Sequence, residues 1–323
     1  MFHDSTALRC PSIEWPTVAF VAFVYAAWLA LTWFHEALPL WLWFPLGAWV
    51  SAWWGSAQHE MVHGHPTRSL LVNTALATPP LWLWLPFERY RDSHLTHHYD
   101  ERLTDPLADP ETRYWAPEEW RALGPAGRLL VDFQSTLLGR LTIGPLWVIG
   151  CYAADEGRLV WRGDGQVRRV WLWHALWTAL VAIWTFAICG VPLWQYLIGF
   201  VYLGLALTLI RSFAEHRAAA AVPHRTAIVE NSRVLGPLFL FNNLHVVHHA
   251  APAVPWYRLP RLYRENRPNV LAMNGGLVYD GYGDVFRRFL LRRHDHPLHP
   301  LAAQAGTGYP TALASASQPN VVA

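Results

Sequence analysis

The chain carries the sequence HLTHH at residues 94–98, and the same H-x-x-H-H spacing returns as HVVHH at residues 245–249. A third cluster, HEMVHGH, occupies residues 59–65. Positions three and four residues apart lie on one face of a helix, so each H-x-x-H-H cluster is able to aim three imidazoles at one point. Neutral imidazole is a good ligand for iron, copper and zinc. The three clusters together predict a site for two transition-metal ions.

Long apolar runs around the clusters predict an all-α integral membrane protein. Hydrophobic residues make up 53% of the 323-residue chain, and roughly 20 apolar residues in a helix cross the hydrocarbon core of a bilayer. We expect two transmembrane helical hairpins, hence about four spans, with interfacial helices and a cytoplasmic, histidine-rich metal-binding cap. The four expected spans are Thr17 to Phe34, Ala37 to Gly55, Val170 to Cys189, and Leu193 to Ile210.

Two further apolar segments are expected at the membrane surface rather than across it. Residues 69–87 are interrupted by Pro79, Pro80 and Pro86, which predicts a half-buried or re-entrant segment. Residues 134–154 carry Arg140 in their middle, which favours an interfacial helix.

The distribution of arginine predicts which side of the membrane holds the histidines. The chain has 25 basic residues, all of them arginine, and the expected turns at residues 35–36 and 190–192 carry none. By the positive-inside rule the histidine side is cytoplasmic. We therefore expect a protein of the bacterial inner (cytoplasmic) membrane whose active site faces the cytoplasm. The formal net charge of +2 argues against nucleic acid as a partner.

The sequence predicts a single membrane domain over residues 1–300, followed by a tail. Residues 99–132 are polar and predict a cytoplasmic insert, and the Arg- and Pro-rich residues 250–295 predict a cap over the site. Residues 301–323 contain no charged residue and are expected to be disordered. The three cysteines are too few for a disulfide scaffold or an iron–sulfur cluster.

The three clusters resemble the histidine boxes of the integral-membrane fatty acid desaturase and hydroxylase superfamily, which also contains alkane hydroxylases and carotenoid oxygenases. The resemblance runs from about His59 to about Pro260. It implies a non-haem diiron centre, that is, two iron ions held mostly by histidines, which uses O₂ as co-substrate and electrons from an external donor. Carried over residue by residue, the implied ligands are His59, His63, His94, His97, His98, His245, His248 and His249.

One further histidine resembles a ligand that family members often supply ahead of the third box. His216 lies 29 residues before His245 (245 − 216). The alternative is an ordinary interface histidine paired with Glu215. His65, at the end of the first box, is either a ligand or a residue that supports one.

Residues that orient the ligands are also expected, because a metal-bound histidine usually donates its other ring N–H to a carboxylate or carbonyl. Asp92 and Asp100 flank the second box and are the favoured acceptors. The candidates for this role are Glu60, His65, Asp92, Asp100, Asp105, Glu215, Asn242 and Asn243. The alternative for each of them is that it is solvated or caps a helix. The other histidines are expected at the protein surface or the membrane interface: His3, His35, His174, His224, His294, His296 and His299.

The resemblance implies an O₂-dependent oxidoreductase, and desaturation of a fatty acyl chain is the first expectation because the boxes most resemble that branch. Hydroxylation or ketone formation on a lipid, alkane or carotenoid stays open, since the Gly64-His65 ending of the first box departs from several desaturase patterns. An acyl chain would lie in an apolar tunnel between the helices. The tryptophans that line this tunnel, or that merely face lipid, are Trp82, Trp84, Trp173 and Trp177.

Electrons are expected from a separate protein. The sequence shows no haem-binding, flavin or nicotinamide fingerprint and no cysteine cluster, which implies a ferredoxin, a rubredoxin or a cytochrome with its reductase. An arginine-rich face is expected either to dock this acidic donor or to attract anionic lipid headgroups. Its members are Arg258, Arg261, Arg264, Arg267, Arg287, Arg288, Arg292 and Arg293.

Two other classes of protein fit parts of the pattern. Residues 59–63 match the H-E-x-x-H signature of zinc proteases, whose glutamate is the general base, but such an enzyme needs one further ligand rather than six further histidines. A membrane metal transporter or metal-storage protein would place ionisable residues deep within its spans. Residues 17–34 and 193–210 contain none.

Overall fold

Helices build most of the part of the chain that the structure describes, residues 12–300 of a computed structural model. His3 and the expected disordered tail lie outside the described residues. The helices are Trp15–Trp33, Leu40–Val62, Leu70–Ala77, Phe87–His97, Pro117–Ala122, Pro125–Gln134, Leu137–Thr142, Gly144–Trp161, Gly165–Ile188, Leu193–Glu215, Leu235–Leu238, His245–Ala250, Leu259–Met273 and Gly281–Phe289. They are α-helical except at Ile183–Ile188 and Leu197–Tyr202, which are π-helical. The short 3-10 helices are His35–Ala37, Asp100–Arg102, Val222–Arg225 and Trp256–Arg258.

Strands play a small part. Ile228–Val229 and Val278–Tyr279 form a parallel pair in which Ile228 is opposite Val278 and Val229 opposite Tyr279. This pair joins the segment before the third box to the cap, residues 250–295. The all-α expectation is confirmed.

A first helical hairpin consists of Trp15–Trp33 and Leu40–Val62, joined by the 3-10 turn His35–Ala37. Pro39 precedes the second helix, where a fixed backbone angle favours a helix start. The Trp43 indole donates a 2.9 Å hydrogen bond to the Leu31 carbonyl and ties the two helices together. The hairpin thereby carries the first box, at the end of its second helix, away from the turn.

The second hairpin consists of Gly165–Ile188 and Leu193–Glu215, and it packs on the first hairpin through a glycine. A Cβ at Gly199 would come within 2.6 Å of the Trp43 ring, so only glycine allows this approach. Small residues of this kind let membrane helices pack backbone to backbone. The contact holds Leu193–Glu215, which ends next to His216, against the helix that carries the first box.

Three helices are long and apolar enough to cross a membrane by length and composition: Trp15–Trp33, Gly165–Ile188 and Leu193–Glu215. The fourth expected span, residues 37–55, lies in Leu40–Val62, which has 23 residues. Its tryptophans, glycines and internal proline lower its mean hydropathy, so the count of strongly apolar spans is three rather than four. The expectation of an integral membrane protein is confirmed.

The two apolar segments expected at the membrane surface, residues 69–87 and 134–154, are both interrupted helical stretches. Residues 69–87 are half buried: the helix Leu70–Ala77 exposes Leu71, whereas the irregular stretch after it buries Leu81 and Trp82. Residues 134–154 divide into two helices instead of one, with a break between Thr142 and Gly144.

The expected tunnel tryptophans have different surroundings. Trp82 is buried, its indole donates to the Ser51 carbonyl, and its ring lies parallel to that of Trp84. Trp173 is 57% exposed on the outer face of the second hairpin. Lipid contact, rather than a tunnel, therefore explains Trp173.

The arginine-rich face is largely neutralised by acidic neighbours. Ion pairs of 2.6–3.0 Å join Arg267 to Glu230, Arg261 to Glu265, Arg287 and Arg288 to Asp284, and Arg293 to Asp132. Five of the eight arginines thus carry a paired charge, which weakens the case for a strongly positive docking surface.

Candidate metal centre

Nine histidines gather at one end of the helical hairpins and divide into two groups. In each group the potential ligand atoms all lie within 4.8 Å of one another. The first, here called the five-histidine group, contains His59, His63, His94, His98 and His248. The second, here called the four-histidine group, contains His97, His216, His245 and His249.

The second and third boxes each serve both groups, whereas the first box serves the five-histidine group alone. The expectation that each H-x-x-H-H cluster aims three imidazoles at one point is therefore wrong. Helical turns of 3.6 residues place positions i and i+4 closest in direction, and His94 pairs in this way with His98. His97 points about 100° away from His98 and reaches the other group. The third box divides by the same rule, since His245 and His249 share one group while His248 joins the other.

The second box lies on the helix Phe87–His97, which an ion pair holds in place. Glu156 is buried and accepts hydrogen bonds from both Arg89 Nε and Arg89 Nη2, the shorter one 2.7 Å long. Trp171 donates to the other oxygen of the same carboxylate at 2.9 Å. A two-point arginine contact fixes direction as well as distance. The helix that carries His94 and His97 and is capped by His98 is therefore anchored to Gly144–Trp161 and to the second hairpin.

Two carboxylates from the insert, residues 99–132, orient histidines of the second box. His97 Nδ1 lies 2.8 Å from Asp109 Oδ1, and His94 Nδ1 lies 3.0 Å from Glu111 Oε1. Asp109 also accepts hydrogen bonds from the backbone N–H groups of Thr104 and Glu111. With Nδ1–H donated outward, the Nε2 lone pair of each ring faces its histidine group.

His245 and His216 of the four-histidine group are held by similar contacts. His245 Nδ1 lies 3.0 Å from Asn242 Oδ1 and 3.2 Å from Glu215 Oε1, and Arg211 balances that carboxylate at 3.1 Å. His216 Nδ1 lies 3.3 Å from the Arg225 carbonyl oxygen. Glu215 and Asn242, both expected from the sequence, do contact candidate ligands.

Three of the other candidates for this orienting role, Asp92, Asp105 and Asn243, have different partners, which corrects the sequence-based expectation for them. Asp92 has a 42% exposed side chain that pairs with Arg91. Asp105 accepts from backbone N–H groups of its own loop, and Asn243 donates to the Val229 carbonyl. For Asp100 the structure describes the backbone alone, at the start of a 3-10 helix. Asp92 does not contact His94, because it lies two residues earlier on the same helix and its side chain therefore faces away from His94.

Two polar residues of the first box form a separate cluster beside the metal groups. His65 belongs to neither group; its Nδ1 lies 2.7 Å from Glu14 Oε1, and both side chains are buried. Glu60 accepts a hydrogen bond from the Trp256 N–H. This cluster joins the start of the first hairpin to the loop after the third box, so His65 and Glu60 lie beside the two histidine groups and not within them.

Asp109 and Glu111 are the residues that the sequence-based selection missed. They lie 11 and 13 residues after His98 (109 − 98 and 111 − 98), inside a segment interpreted as a solvated insert. The available signal was a run of carboxylates between prolines close to a box.

Several histidines expected at the surface are buried instead. His35 and His174 contact backbone carbonyls of Thr32 and Leu83. His294 contacts Asp295 and Tyr279, and His299 is also buried. The rings of His35, His174 and His294 have protein hydrogen-bond partners, which explains how these polar rings are accommodated inside.

Burial and neighbouring charges set the protonation of the site. Burial holds the pKa values of His94 and His248 well below the ordinary value for histidine, so these rings are neutral. Burial also raises the pKa of Glu111 to about 8. For His97 burial acts to lower the pKa, but the charges of Asp109 and Glu111 outweigh it and raise the pKa to about 9. Without a metal this ring is therefore protonated at neutral pH, and a metal ion that binds there displaces the proton on Nε2.

The donor set fits transition-metal cations. His63 Nε2, His94 Nε2 and His98 Nε2 follow one another at 3.1 Å, and His98 Nε2 lies 3.1 Å from His248 Nε2. In the other group His216 Nε2 lies 3.0 Å from His97 Nε2 and 2.9 Å from His245 Nε2. A neutral imidazole has one N–H, and where Nδ1 has donated it outward the facing nitrogens hold lone pairs only. Lone pairs converging in this way fit a cation between them.

A family model for fatty acid desaturases matches residues 35–282. The chain belongs to the fatty acid desaturase family. This membership confirms the resemblance drawn from the boxes and makes the protein a membrane-associated oxidoreductase. A search of curated proteins finds no match.

Both the family membership and the geometry of the site argue against the zinc-protease alternative. A catalytic zinc site has three protein ligands and an open position. His59 and His63 instead share their group with three further histidines. A second group of four lies beside it, which a single-zinc enzyme does not need.

Proposed function

We propose that this protein is an O₂-dependent, non-haem diiron desaturase that introduces a double bond into a fatty acyl chain of a lipid. The observation that carries the proposal is the pair of adjacent histidine groups, five and four in number, at the end of apolar helices. An unactivated C–H bond resists acid–base side chains, so its oxidation is left to a metal or cofactor. Two histidine groups side by side suit two ions acting on one substrate.

The proposed iron ligands are the nine histidines of the two groups. Two iron ions there would supply the reduction of O₂ to two waters with two external electrons, while the acyl chain loses two hydrogens. Asp109, Glu111 and Glu215 hold ring N–H groups and keep the imidazoles in the ligating orientation. Asn242 contacts both groups, since its amide nitrogen lies 3.3 Å from His59 Nε2 and its oxygen contacts His245.

Burial of the rings keeps bulk water from the reacting position. His59, His94, His97, His245 and His248 are all buried. The exclusion of water prevents side reactions of oxidising species and favours the binding of an apolar substrate. The aromatic ring of Tyr90 lies 5.6 Å from that of His94, so an apolar wall adjoins the five-histidine group.

The proposal includes the cellular arrangement expected from the sequence. The histidine end faces the cytoplasm of a bacterial inner membrane, and a separate ferredoxin, rubredoxin or cytochrome with reductase supplies electrons. Residues 1–300 act as one domain, and residues 301–323 are dispensable.

Hydroxylation or ketone formation is the second candidate, because the first box ends in Gly64-His65. His65 is bound to Glu14 rather than to a histidine group. The unusual ending therefore leaves the ligand set unchanged, and the two reactions differ only in how the chain is positioned. Desaturation remains the proposal, because the three histidine boxes most resemble those of the desaturase branch.

The test is mass spectrometry of lipids from cells that express the chain together with a ferredoxin and its reductase and that are fed deuterated fatty acids. Loss of two deuterium atoms from the acyl chain, absent with His97→Ala, would establish the desaturase. Gain of oxygen would establish the hydroxylase or ketolase. Unchanged lipids, with the protein iron-loaded and reduced by the donor, would contradict both.

A further inference from the structure

A small cavity lies behind the four-histidine group, between the interfacial helices and the segment that follows Gly281–Phe289. Its lining includes Gln134, Arg140, Arg113, His294 and Asp295. Backbone hydrogen bonds join the two segments beside it, since Leu138 N–H donates to Leu290 O and His294 N–H donates to Ser135 O. The cavity is separate from the histidine groups.

Two donors that line this cavity have no partner within residues 12–300. Arg140 is 4% exposed, and its Nη2 makes no hydrogen bond. Gln134 is 7% exposed, and its Nε2 makes none either. Buried polar groups are nearly always hydrogen-bonded, so two unsatisfied donors on one cavity point to an absent acceptor.

The cavity also carries an excess of positive charge. Arg113 and Arg140 line it, against one carboxylate, Asp295. That carboxylate is already engaged, because it accepts from Arg113 Nη2, Tyr114 Oη and Arg217 Nε at 2.8–3.1 Å. Burial, and then the charge of Arg113, lower the pKa of Arg140 to about 9, which still leaves it charged at neutral pH.

A buried arginine without an anion is costly, because the protein interior does not solvate its charge. The acidic side chains that the structure does not describe are those of Asp4, near the N-terminus, and Asp100, in the 3-10 helix after the second box. A water molecule would satisfy the two donors but not the charge. The cavity is small and suits a monatomic ion better than a phosphate group.

We propose that the cavity between Arg140 and Gln134 binds one small monovalent anion of about the size of chloride. The anion accepts hydrogen bonds from Arg140 Nη2 and Gln134 Nε2 and offsets the surplus positive charge. Arg113, on the same cavity, donates to the backbone carbonyl of the candidate ligand His216 at 2.7 Å. The bound anion thereby stabilises the junction between the interfacial helices, the cap and the four-histidine group.

The test compares thermal unfolding of the detergent-purified protein in sodium chloride and in sodium gluconate of equal ionic strength, followed by tryptophan fluorescence. The unfolding midpoint of the wild type should rise with chloride, by about 2 °C per tenfold increase above the dissociation constant. Arg140→Gln should remove this response and should be the more stable protein in gluconate. Arg128→Gln, an exposed arginine on the neighbouring helix, is the matched control and should keep the response.

A second variant covers the case in which Arg140→Gln does not fold. Gln134→Met removes one donor at nearly constant volume and should weaken the chloride response several-fold. A structure determined in bromide should show an anomalous peak between the two side chains. Equal midpoints in chloride and gluconate, a full response in Arg140→Gln, or a water or lipid phosphate at that position would overturn the proposal.

Discussion

The two histidine groups differ in how their rings are held. In the four-histidine group three rings have an outer partner from three separate segments: Asp109, Glu215 with Asn242, and the Arg225 carbonyl. In the five-histidine group Glu111 holds His94, while His63, His94, His98 and His248 follow one another directly at 3.1 Å. The five-histidine group thus has more potential metal ligands, whereas the four-histidine group has more rings that an outer residue holds in place. Support by neighbours sets ring orientation before a metal binds, so the smaller group should be the more preorganised.

The largest expected effect comes from removing one ring of each group. Under the proposed function, His97→Ala and His248→Ala should each abolish desaturation, by at least about 100-fold, while the protein still inserts in the membrane. Each variant should retain about one iron ion per chain, the one bound by the intact group. Product formation and iron content of purified protein measure the two outcomes.

His224→Ala, an exposed histidine outside both groups, is the control and should behave as wild type. Full activity in either ligand variant would remove the diiron assignment.

The outer carboxylates test the difference between the groups directly. Asp109→Asn and Glu111→Gln should each lower iron affinity roughly 10–100-fold, at the four- and five-histidine group respectively. Asp109→Asn should have the larger effect, because Asp109 also holds the loop through two backbone N–H groups. Iron titration of the metal-free variants measures both affinities.

Asp92→Asn is the matched control for these carboxylates, because its side chain pairs with Arg91 outside the site. A loss of iron in Asp92→Asn as large as in Asp109→Asn would contradict the geometry described here.

The sequence predicted the candidate ligands but not their division between two groups. Spacing alone shows which rings can share a helix face. Adjacent rings such as His97 and His98 diverge by about 100°, so the spacing alone could have predicted two separate groups. The orienting carboxylates were harder to find, because Asp109 and Glu111 follow the box in irregular chain whose path is set by tertiary packing rather than by periodicity.

The same limit applies to the fold. Apolar runs predicted the membrane hairpins, since length and composition suffice there. Burial of His174 or of Arg140 depends on which helices meet, and local sequence does not contain that information.

A smaller effect is expected from the helix that serves both groups. Glu156→Gln leaves Arg89 without its anion, which should lower stability by about 3 kcal/mol, as for other broken buried pairs. Because Phe87–His97 supplies histidines to both groups, iron affinity should fall to a similar extent in each. Denaturation in mixed detergent micelles and iron titration test the two statements.

Glu118→Gln breaks the exposed pair with Arg121 and should change stability by less than about 1 kcal/mol. Selective loss of iron from one group in Glu156→Gln would show that Arg89 acts on that group alone.

The smallest effect concerns pH, and it acts through the support of the four-histidine group. Burial, and then Arg113, lower the pKa of His294 to about 4, whereas in the unfolded chain this histidine titrates near 6.5. Below pH 6.5 the unfolded state therefore binds a proton that the folded state does not, and stability falls as the pH falls towards 4. Between pH 6.5 and 5.5 the expected loss is about 1 kcal/mol.

His294→Gln should remove this part of the pH dependence, whereas His296→Gln, at an exposed position, should not. Unfolding midpoints of the iron-loaded proteins at the two pH values measure the difference. Because Arg113 contacts both His294 and the His216 carbonyl, protonation of His294 should also loosen the four-histidine group first. If acidification released iron first from the five-histidine group, the conclusion that the four-histidine group depends on the Arg113–His294 contact would be wrong.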